Sequence, residues 1–178
     1  REQLAGDLRR SERGMADEIL ISRVASPKNK NLEGMLLGQA ADSRGQSVTD
    51  ALLDILIEEE LHVDAIFFSM SEDNLREILQ KDYVMIGSDA SVWDVTGPLS
   101  SGKPHPRGFG TFPRVVRKYV LEERVLGLEQ AVRKMTGQVA EAFKIPDRGL
   151  IRTGCKADIV IFDLATIKDN ATYQEPHQ

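Results

Sequence analysis

Short apolar runs at three points of the chain predict β-strands. Residues 17–23 read DEILISR, residues 65–70 read AIFFSM, and residues 83–89 read YVMIGSD. The second and third runs show no alternation of apolar and polar positions, a pattern typical of strands that are covered on both faces.

Apolar residues at helical spacing lie between these runs. Residues 48–60 repeat apolar positions every three or four residues after Ser47, and the segment that follows Ser71 does the same. Both serines are expected N-caps, because a serine hydroxyl accepts a hydrogen bond from the first helical turn. The order of strand 65–70, helix and strand 83–89 is that of a βαβ unit, which predicts an α/β fold with parallel strands.

The second half of the chain predicts helices followed by β structure. Thr111 is the expected N-cap of one helix, and two more helices meet at Thr136-Gly137. Residues 150–152 and 158–163 predict short strands of an all-β module that starts near Gly149.

Two stretches near the start of the chain are less informative. The first ten residues, REQLAGDLRR, have a helical pattern and no initiator Met, so we expect further residues before them. Residues 26–46 are polar and predict mostly loop, with one helical turn.

A long loop follows the run at 83–89. About twenty residues, rich in Gly, Pro and Ser, separate Asp89 from Thr111, and loops of that length in compact domains usually carry function or are disordered. Asp89 follows a strand end, where parallel α/β folds collect their catalytic groups. Arg107 lies in KPHPRGFG, where a stiff loop with flanking glycines suits bidentate binding of a carboxylate.

A simpler interpretation of each candidate stays open. Asp89 also fits a turn residue, and Arg107 also fits a surface arginine paired with one of the 28 acidic residues. His105, between two prolines, fits a structural role better than a metal-binding one. Phe67 and Met70 fit the core, and Met70 also fits the wall of a pocket at the mouth of the strand.

Composition disfavours several classes of function. The net charge of −5 argues against nucleic acid and anionic membranes as partners, and no apolar run has the length of a membrane span. The one cysteine, Cys155, permits no internal disulfide and fits a reducing cytoplasm. No GxGxxG or P-loop motif supports a nucleotide cofactor.

Five motifs in a fixed order give the chain a family resemblance. MIGSDA, KPHPRGFGTFPRV, AVRKMTG, DRGLI and KADIVIFD together resemble the C-terminal part of N-acyl-D-amino-acid deacylases, also called D-aminoacylases, of the amidohydrolase superfamily. The resemblance implies the C-terminal part of a (β/α)8 TIM-type barrel with a short segment of an attached β-sandwich. In that frame residues 1–148 belong to the barrel, with 17–45 in an insertion, and residues 149–178 belong to the sandwich.

The resemblance also implies roles for individual residues. Asp89 matches an aspartate at the end of the eighth barrel strand, which lies at the metal and acts as general base and then as general acid. Arg107 matches the arginine that binds the α-carboxylate of the substrate, and Phe67 and Met70 match residues that line the side-chain pocket. The implied cofactor is zinc, which polarises the amide carbonyl and lowers the pKa of bound water toward about 7. The implied substrate is a small N-acyl-D-amino acid, hydrolysed to a carboxylate and a D-amino acid.

The chain departs from the family in its metal ligands. The His-x-His pair, the cysteine and the two further histidines of the family have no counterpart here, whereas a catalytic zinc needs about three protein ligands. We therefore expect a fragment that is inactive without the remainder of the same polypeptide. Two alternatives stay open: a related amidohydrolase that acts on a cyclic amide or a dipeptide, and a non-catalytic anion-binding or scaffold module.

Overall fold

The computed structural model describes residues 14–178, so the helix expected over the first ten residues lies outside the described part. The chain divides into two units. Unit 1 contains the described residues up to Ser69 together with Val92–His105 and Thr172–His177, and unit 2 contains Met70–Ser91 and Pro106–Ala171 with Gln178. Over residues 14–178, every helix is too short or too polar to cross a membrane.

Unit 1 is built on a two-stranded antiparallel sheet. Strand β1 spans Ile19–Val24 and strand β2 spans Val63–Phe67. The first residue of each strand pairs with the last residue of the other, and a bulge interrupts the register just before Arg23. The buried side chains of β1 alternate poorly, because three consecutive residues of that strand are buried.

Unit 1 also contains helical segments. A 3-10 helix spans Pro27–Leu32, helix α1 spans Leu37–Arg44, helix α2 spans Val48–Glu58, and a second 3-10 helix spans Gly97–Ser100. The core of unit 1 joins β1 to the first three of these segments. Its buried residues are Ile21, Val24, Leu32, Leu37, Ala40 and Ile55.

Unit 2 is helical over its described residues. Helix α3 spans Glu72–Leu79, α4 spans Arg107–Arg114, α5 spans Leu128–Met135 and α6 spans Gly137–Ala142. Helix α4 continues directly as a π-helix over Val115–Glu122. The core of unit 2 lies where α3 and α5 meet this π-helix. Its buried residues are Leu79, Val115, Tyr119, Val120, Leu126 and Ala131.

The predicted N-caps Ser47 and Ser71, the predicted junction of two helices at Thr136-Gly137 and the first predicted strand are confirmed. The Ser47 hydroxyl accepts a hydrogen bond from the Asp50 N–H at 3.1 Å, and the Ser71 hydroxyl accepts one from the Asn74 N–H at 3.4 Å. Helices α5 and α6 meet at Thr136, whose φ of −135° and ψ of −89° lie outside the helical region. Strand β1 occupies the first apolar run.

The predicted βαβ unit is wrong. Residues 83–89 form no strand, and β2 pairs with β1 in the antiparallel sense. A strand needs a neighbouring segment that bonds to its N–H and C=O groups. Among the described residues β2 pairs with β1, and residues 83–89 pair with no strand. Residues 81–86 instead bond to α5 and α6, through the Lys134 and Gln138 side chains and the Lys134 carbonyl.

The two strands predicted near the C-terminus are also wrong. Residues 150–152 and 158–163 have no strand pairing. The apolar side chains of 159–162 are between 41% and 93% exposed, because nothing in residues 14–178 covers them well. The barrel and the β-sandwich implied by the resemblance therefore stay predictions.

Three smaller expectations also need correction. Strand β2 is not covered on both faces, since Phe67 is 65% exposed while Ile66 is buried. Helix α4 begins at Arg107 rather than after Thr111, and the Thr111 hydroxyl bonds to the Arg107 carbonyl. Helix α1 lies in the stretch predicted as loop, where its alanines give a weak apolar pattern although they are fully buried.

The end of the long loop is fixed on β1. The Lys103 N–H donates to the Ser22 carbonyl at 2.6 Å. Gly102 has a φ of +77°, and a Cβ at this position would lie 2.8 Å from the Arg23 Cβ. Only glycine fits both requirements, so this part of the loop has a defined structure in unit 1.

A buried carboxylate at the end of α2 holds the chain that leaves β1. Glu59 accepts hydrogen bonds from the N–H groups of Ala25 and Ser26, both at 2.7 Å, and from the Asn29 amide at 2.6 Å. Burial raises the pKa of Glu59, but the bonds to Ser26, Asn29 and Ala25 favour the ionised form and lower its pKa to about 2.

We expect unit 1 to lose stability in acid through Glu59. Because the pKa of the folded state lies below the ordinary value of 4.5, this stabilisation is present above pH 4.5 and is lost as the pH falls toward 2. Glu59→Gln should lower the free energy of unfolding at neutral pH by about 1–3 kcal/mol and flatten the acid dependence. Denaturant unfolding of the intact protein at a series of pH values measures both effects. Glu60→Gln, at an exposed position, is the control, and equal effects of the two variants would contradict the role of Glu59.

Candidate active site

Asp89 ends the segment that the sequence predicts as a strand. Its backbone adopts a left-handed conformation with a φ of +48°, which Asp tolerates better than most residues. Backbone conformations of this kind concentrate at functional sites. The Asp89 carboxylate is 90% exposed, so the partial desolvation expected for it is not provided by the described residues.

Lys134 of α5 holds the segment that leads to Asp89. Its side chain is 1% exposed, and its Nζ donates to the Val84 carbonyl at 2.9 Å and to the Lys81 carbonyl. The Lys134 carbonyl in turn accepts a hydrogen bond from the Ile86 N–H at 3.1 Å. A buried ammonium needs such acceptors to offset its lost hydration, so α5 and this segment depend on one another.

Arg107 stands at the start of α4, close to Asp89 in space. Its Nη2 lies 3.0 Å from Oδ2 of Asp89. The structure therefore brings the two main predicted site residues together within unit 2, although eighteen positions separate them along the chain. Asp89 is supplied by the segment that α5 supports, and Arg107 by the first turn of α4.

The Asp89–Arg107 pair is weak because it is open to water. The Arg107 side chain is 44% exposed and that of Asp89 is 90% exposed, and exposed ion pairs contribute about 0–1 kcal/mol. A competing carboxylate would therefore displace Asp89 from the guanidinium at little cost. The arrangement can bind an anion at Arg107 and at the same time leave the Asp89 carboxylate available to take up a proton.

The remaining predicted site residues, Phe67 and Met70, lie in different units. Phe67 ends β2 in unit 1, and Met70 begins unit 2. They are 65% and 81% exposed, so their interpretation as core residues is wrong, and their place in a side-chain pocket stays a prediction.

In unit 1 the His105 Nε2 lies 3.3 Å from the Tyr173 hydroxyl, and the Phe68 ring packs edge-on against Tyr173. These contacts favour a structural role for His105.

A polar network that the sequence did not predict lies along α4 and the π-helix. The Arg114 guanidinium contacts Oδ2 of Asp169 at 3.1 Å and Oε1 of Glu72 at 3.3 Å, and Glu72 also accepts from the Tyr119 hydroxyl at 3.0 Å. Lys118 lies 2.9 Å from the same carboxylate. Charged residues at this spacing resemble an ordinary solvated helix face, and their partners lie 42 to 55 positions away.

Protonation equilibria in this network follow from burial and charge. Burial raises the pKa of Glu72, but Lys118, Tyr119 and Arg114 lower it more, so the net shift is downward. Burial lowers the pKa of Arg114, but the bond to Asp169 contributes to a net rise. Burial and the bond to Glu72 raise the pKa of Tyr119. At neutral pH the network therefore joins an ionised Glu72 carboxylate to the Arg114 guanidinium and to a neutral Tyr119 phenol.

The described residues do not hold a metal ion by themselves. In the range 14–178, no three side chains of His, Cys, Asp or Glu come together in an arrangement that could bind one. Asp89 is the predicted metal ligand, and the three histidines and Cys155 do not join it in such a group. The role of Asp89 as a metal ligand therefore stays a prediction, and residues outside the described range would have to complete such a site.

Comparison with protein families gives a match over most of the chain. Residues 47–177 match the model of the Amidohydrolase family. That range includes Asp89, Arg107, helices α2 to α6 and residues 143–177.

Individual relatives are similar over long stretches of the chain. The chain is 39% identical over 145 residues to a D-aminoacylase from Alcaligenes xylosoxydans xylosoxydans, with 82% of the chain and 28% of the relative covered. It is 43% identical over 112 residues to an N-acyl-D-glutamate deacylase from the same organism, with 63% of the chain and 22% of the relative covered. The chain thus spans about a quarter of the length of the curated relatives that it matches.

A solved structure agrees with these similarities. It is the N-acyl-D-glutamate deacylase of Bordetella bronchiseptica in complex with zinc and a phosphonate inhibitor that mimics the tetrahedral intermediate. The TM-score is 0.77 at 35% identity, and the match covers 92% of the chain and 31% of that structure.

We expect Lys134→Met to loosen the segment that carries Asp89. The substitution leaves the carbonyls of Lys81 and Val84 without their charged donor, which should lower the free energy of unfolding by about 1–3 kcal/mol. Hydrogen exchange of the intact protein should show faster exchange at residues 84–88. Lys81→Met is the matched control, because it removes an exposed lysine whose pair with Glu77 contributes about 0–1 kcal/mol. Unchanged exchange at 84–88 in Lys134→Met would contradict the support by Lys134.

Proposed function

The chain belongs to the amidohydrolase family, and we propose that the protein containing it hydrolyses the amide bond of N-acyl-D-amino acids. The products are a carboxylate and a free D-amino acid. The observation that carries this proposal is the 3.0 Å approach of the Arg107 guanidinium to the Asp89 carboxylate. The names of the relatives, which are deacylases of D-configured substrates at 35–43% identity, support the substrate class.

Arg107 binds the α-carboxylate of the substrate in this proposal. A guanidinium presents paired N–H donors that match the two oxygens of a carboxylate. The incoming carboxylate takes the place of Asp89 at Arg107, so one exposed ion pair replaces another. Fixing the α-carboxylate also fixes which face of the α-carbon the amide presents, and this supplies a basis for selecting the D configuration.

Asp89 moves the proton. Once released from Arg107, its carboxylate accepts a proton from the water that attacks the amide carbonyl carbon. It then delivers that proton to the amine nitrogen as the C–N bond breaks, so the carboxylate is regenerated. The bound substrate thus separates the two side chains: Arg107 holds the carboxylate end and Asp89 serves the amide.

We also propose that the reaction depends on zinc. The zinc in the Bordetella bronchiseptica relative supports this proposal, and Asp89 is the ligand that we assign from the described residues. The other ligands would come from the remainder of the same polypeptide. We assign no step of the reaction to the ion here, because residues 14–178 do not assemble a site that holds it. Phe67 and Met70 are proposed to line the pocket for the side chain of the substrate, and the reducing cytoplasm is the proposed location.

We expect the intact protein to hydrolyse N-acetyl-D-amino acids much faster than their L forms. Release of the free amino acid measures the reaction, and metal analysis of the same sample reports zinc. Asp89→Asn keeps the shape and the tolerance for a left-handed backbone but removes the base, so it should lower kcat by about a hundredfold or more. Equal rates for the D and L forms would overturn the assignment of configuration. Hydrolysis of a cyclic amide or a dipeptide alone would favour a related amidohydrolase, and no hydrolysis of any amide would favour a binding module.

We expect Arg107→Ala to weaken binding according to the charge of the substrate. For an N-acetyl-D-amino acid the variant should raise KM by about tenfold or more, the range for loss of a charge-assisted contact. For the corresponding carboxamide, which presents no anion, KM should change little. Steady-state kinetics with both substrates measures the difference, and equal losses for the two substrates would remove the carboxylate-binding role.

A further inference from the structure

Arg107 needs a support other than its contact with Asp89. That contact joins side chains that are 44% and 90% exposed, and an ion pair open to water contributes too little to hold a long side chain in one place. Arg107 is nevertheless the first residue of a helix, so its direction depends on how α4 is held.

One face of α4 carries Arg107 and two further residues with defined partners. Residues three and seven positions along a helix lie on nearly the same face, so Gly110 and Arg114 share the face of Arg107. Gly110 is buried. A Cβ at Gly110 would lie 3.1 Å from the Cβ of Asp169 and 3.7 Å from that of Ala171. The backbone of α4 therefore approaches residues 169–171 as closely as an absent side chain allows.

Asp169 also fixes the far end of the same face. The Asp169 side chain is 21% exposed, and its carboxylate contacts the Arg114 guanidinium at 3.1 Å. A second contact of Arg114, to Glu72 at 3.3 Å, joins α4 to the first turn of α3. The Arg114 and Asp169 side chains are 42% and 21% exposed, so this contact is more protected from water than the Asp89–Arg107 pair.

We propose that Asp169 is a positioning residue for carboxylate recognition: by holding Arg114 and packing against Gly110, it fixes the rotation of α4 that directs Arg107 toward the substrate. This inference rests on the proposed role of Arg107. Asp169 itself touches neither the substrate nor the reacting atoms. Its effect on the reaction is therefore confined to how well a carboxylate is distinguished from an uncharged group.

The test compares acid and carboxamide substrates in Asp169→Asn of the intact protein. The preference for an N-acetyl-D-amino acid over its carboxamide, as the ratio of kcat/KM values, should fall about tenfold, below the roughly hundredfold cost that a 1 Å displacement can have. General damage to the fold would lower both rates and leave the ratio unchanged. Glu122→Gln, which breaks the exposed pair with Arg117 on the π-helix, is the matched control and should leave the ratio unchanged.

A second variant distinguishes a change in the orientation of α4 from a loss of protein stability. Gly110→Ala places a methyl group 3.1 Å from the Asp169 Cβ while it raises helix propensity. We expect this variant to lower the same ratio with little loss of thermal stability. In the Arg107→Ala background Asp169→Asn should have no further effect on the ratio, because both changes act through one guanidinium. Additive effects of the two substitutions would overturn the proposal.

A measurement without substrate distinguishes this proposal from the proposed function. The side-chain Nε–H resonance of Arg107, assigned by its loss in Arg107→Ala, should shift in Asp169→Asn and not in Glu122→Gln. An unchanged resonance would overturn the positioning role even in an active enzyme. A protein that shows the shift but hydrolyses no N-acyl-D-amino acid would retain the positioning role and overturn the function.

Discussion

The buried ammonium of Lys134 is the interaction on which the position of Asp89 depends. Residues 83–89 have the apolar composition of a strand but no strand neighbour in residues 14–178. Their backbone groups still need partners. Lys134 supplies two donated bonds and one accepted bond, and the Gln138 amide adds a bond to the Asp82 carbonyl at 2.7 Å. Side chains from α5 and α6 thus replace part of what a neighbouring strand would provide.

The two ends of the candidate site are held by different means. Asp89 is fixed through the backbone before it, by a buried cation. Arg107 is fixed through the helix that it begins, by the close packing of Gly110 and the contact of Arg114 with Asp169. The direct contact between Asp89 and Arg107 is the most exposed of these interactions. Its geometry is therefore a result of the two supports and not a cause of the fold.

Sequence patterns predicted those elements whose signals are local. Serine caps and apolar stripes identified α2, α3, α5 and α6, since each signal lies within one or two turns of a helix. The predicted strands that failed are those with no pairing segment among the described residues. For 158–163, a β-rich composition predicts a strand only if another segment bonds to it, and the described residues supply none. The sequence pattern shows a preference for strand structure, but it does not show which segment would pair with the strand.

Likewise, only some residues of the candidate site were predicted from the sequence. The proximity of Asp89 and Arg107 agrees with the ordered motifs, although their roles remain proposals. Asp169 and Lys134 were not predicted. Lys134 lies one turn after the buried Ala131, so a cation on an apolar stripe was its only local signal. Asp169 had no local signal, because its partner Arg114 is 55 positions away.

In the proposed reaction, the weakness of the Asp89–Arg107 pair suits a site that must open for each substrate. A buried pair would cost several kcal/mol to separate. That cost would be subtracted from the binding free energy of the substrate. An exposed pair costs about 0–1 kcal/mol, so the interaction of the incoming carboxylate with Arg107 is nearly all available for binding. For the same reason the pair cannot orient Arg107. A site with a weak internal contact therefore requires strong supports behind each partner, and the structure has such supports at Lys134 and Asp169.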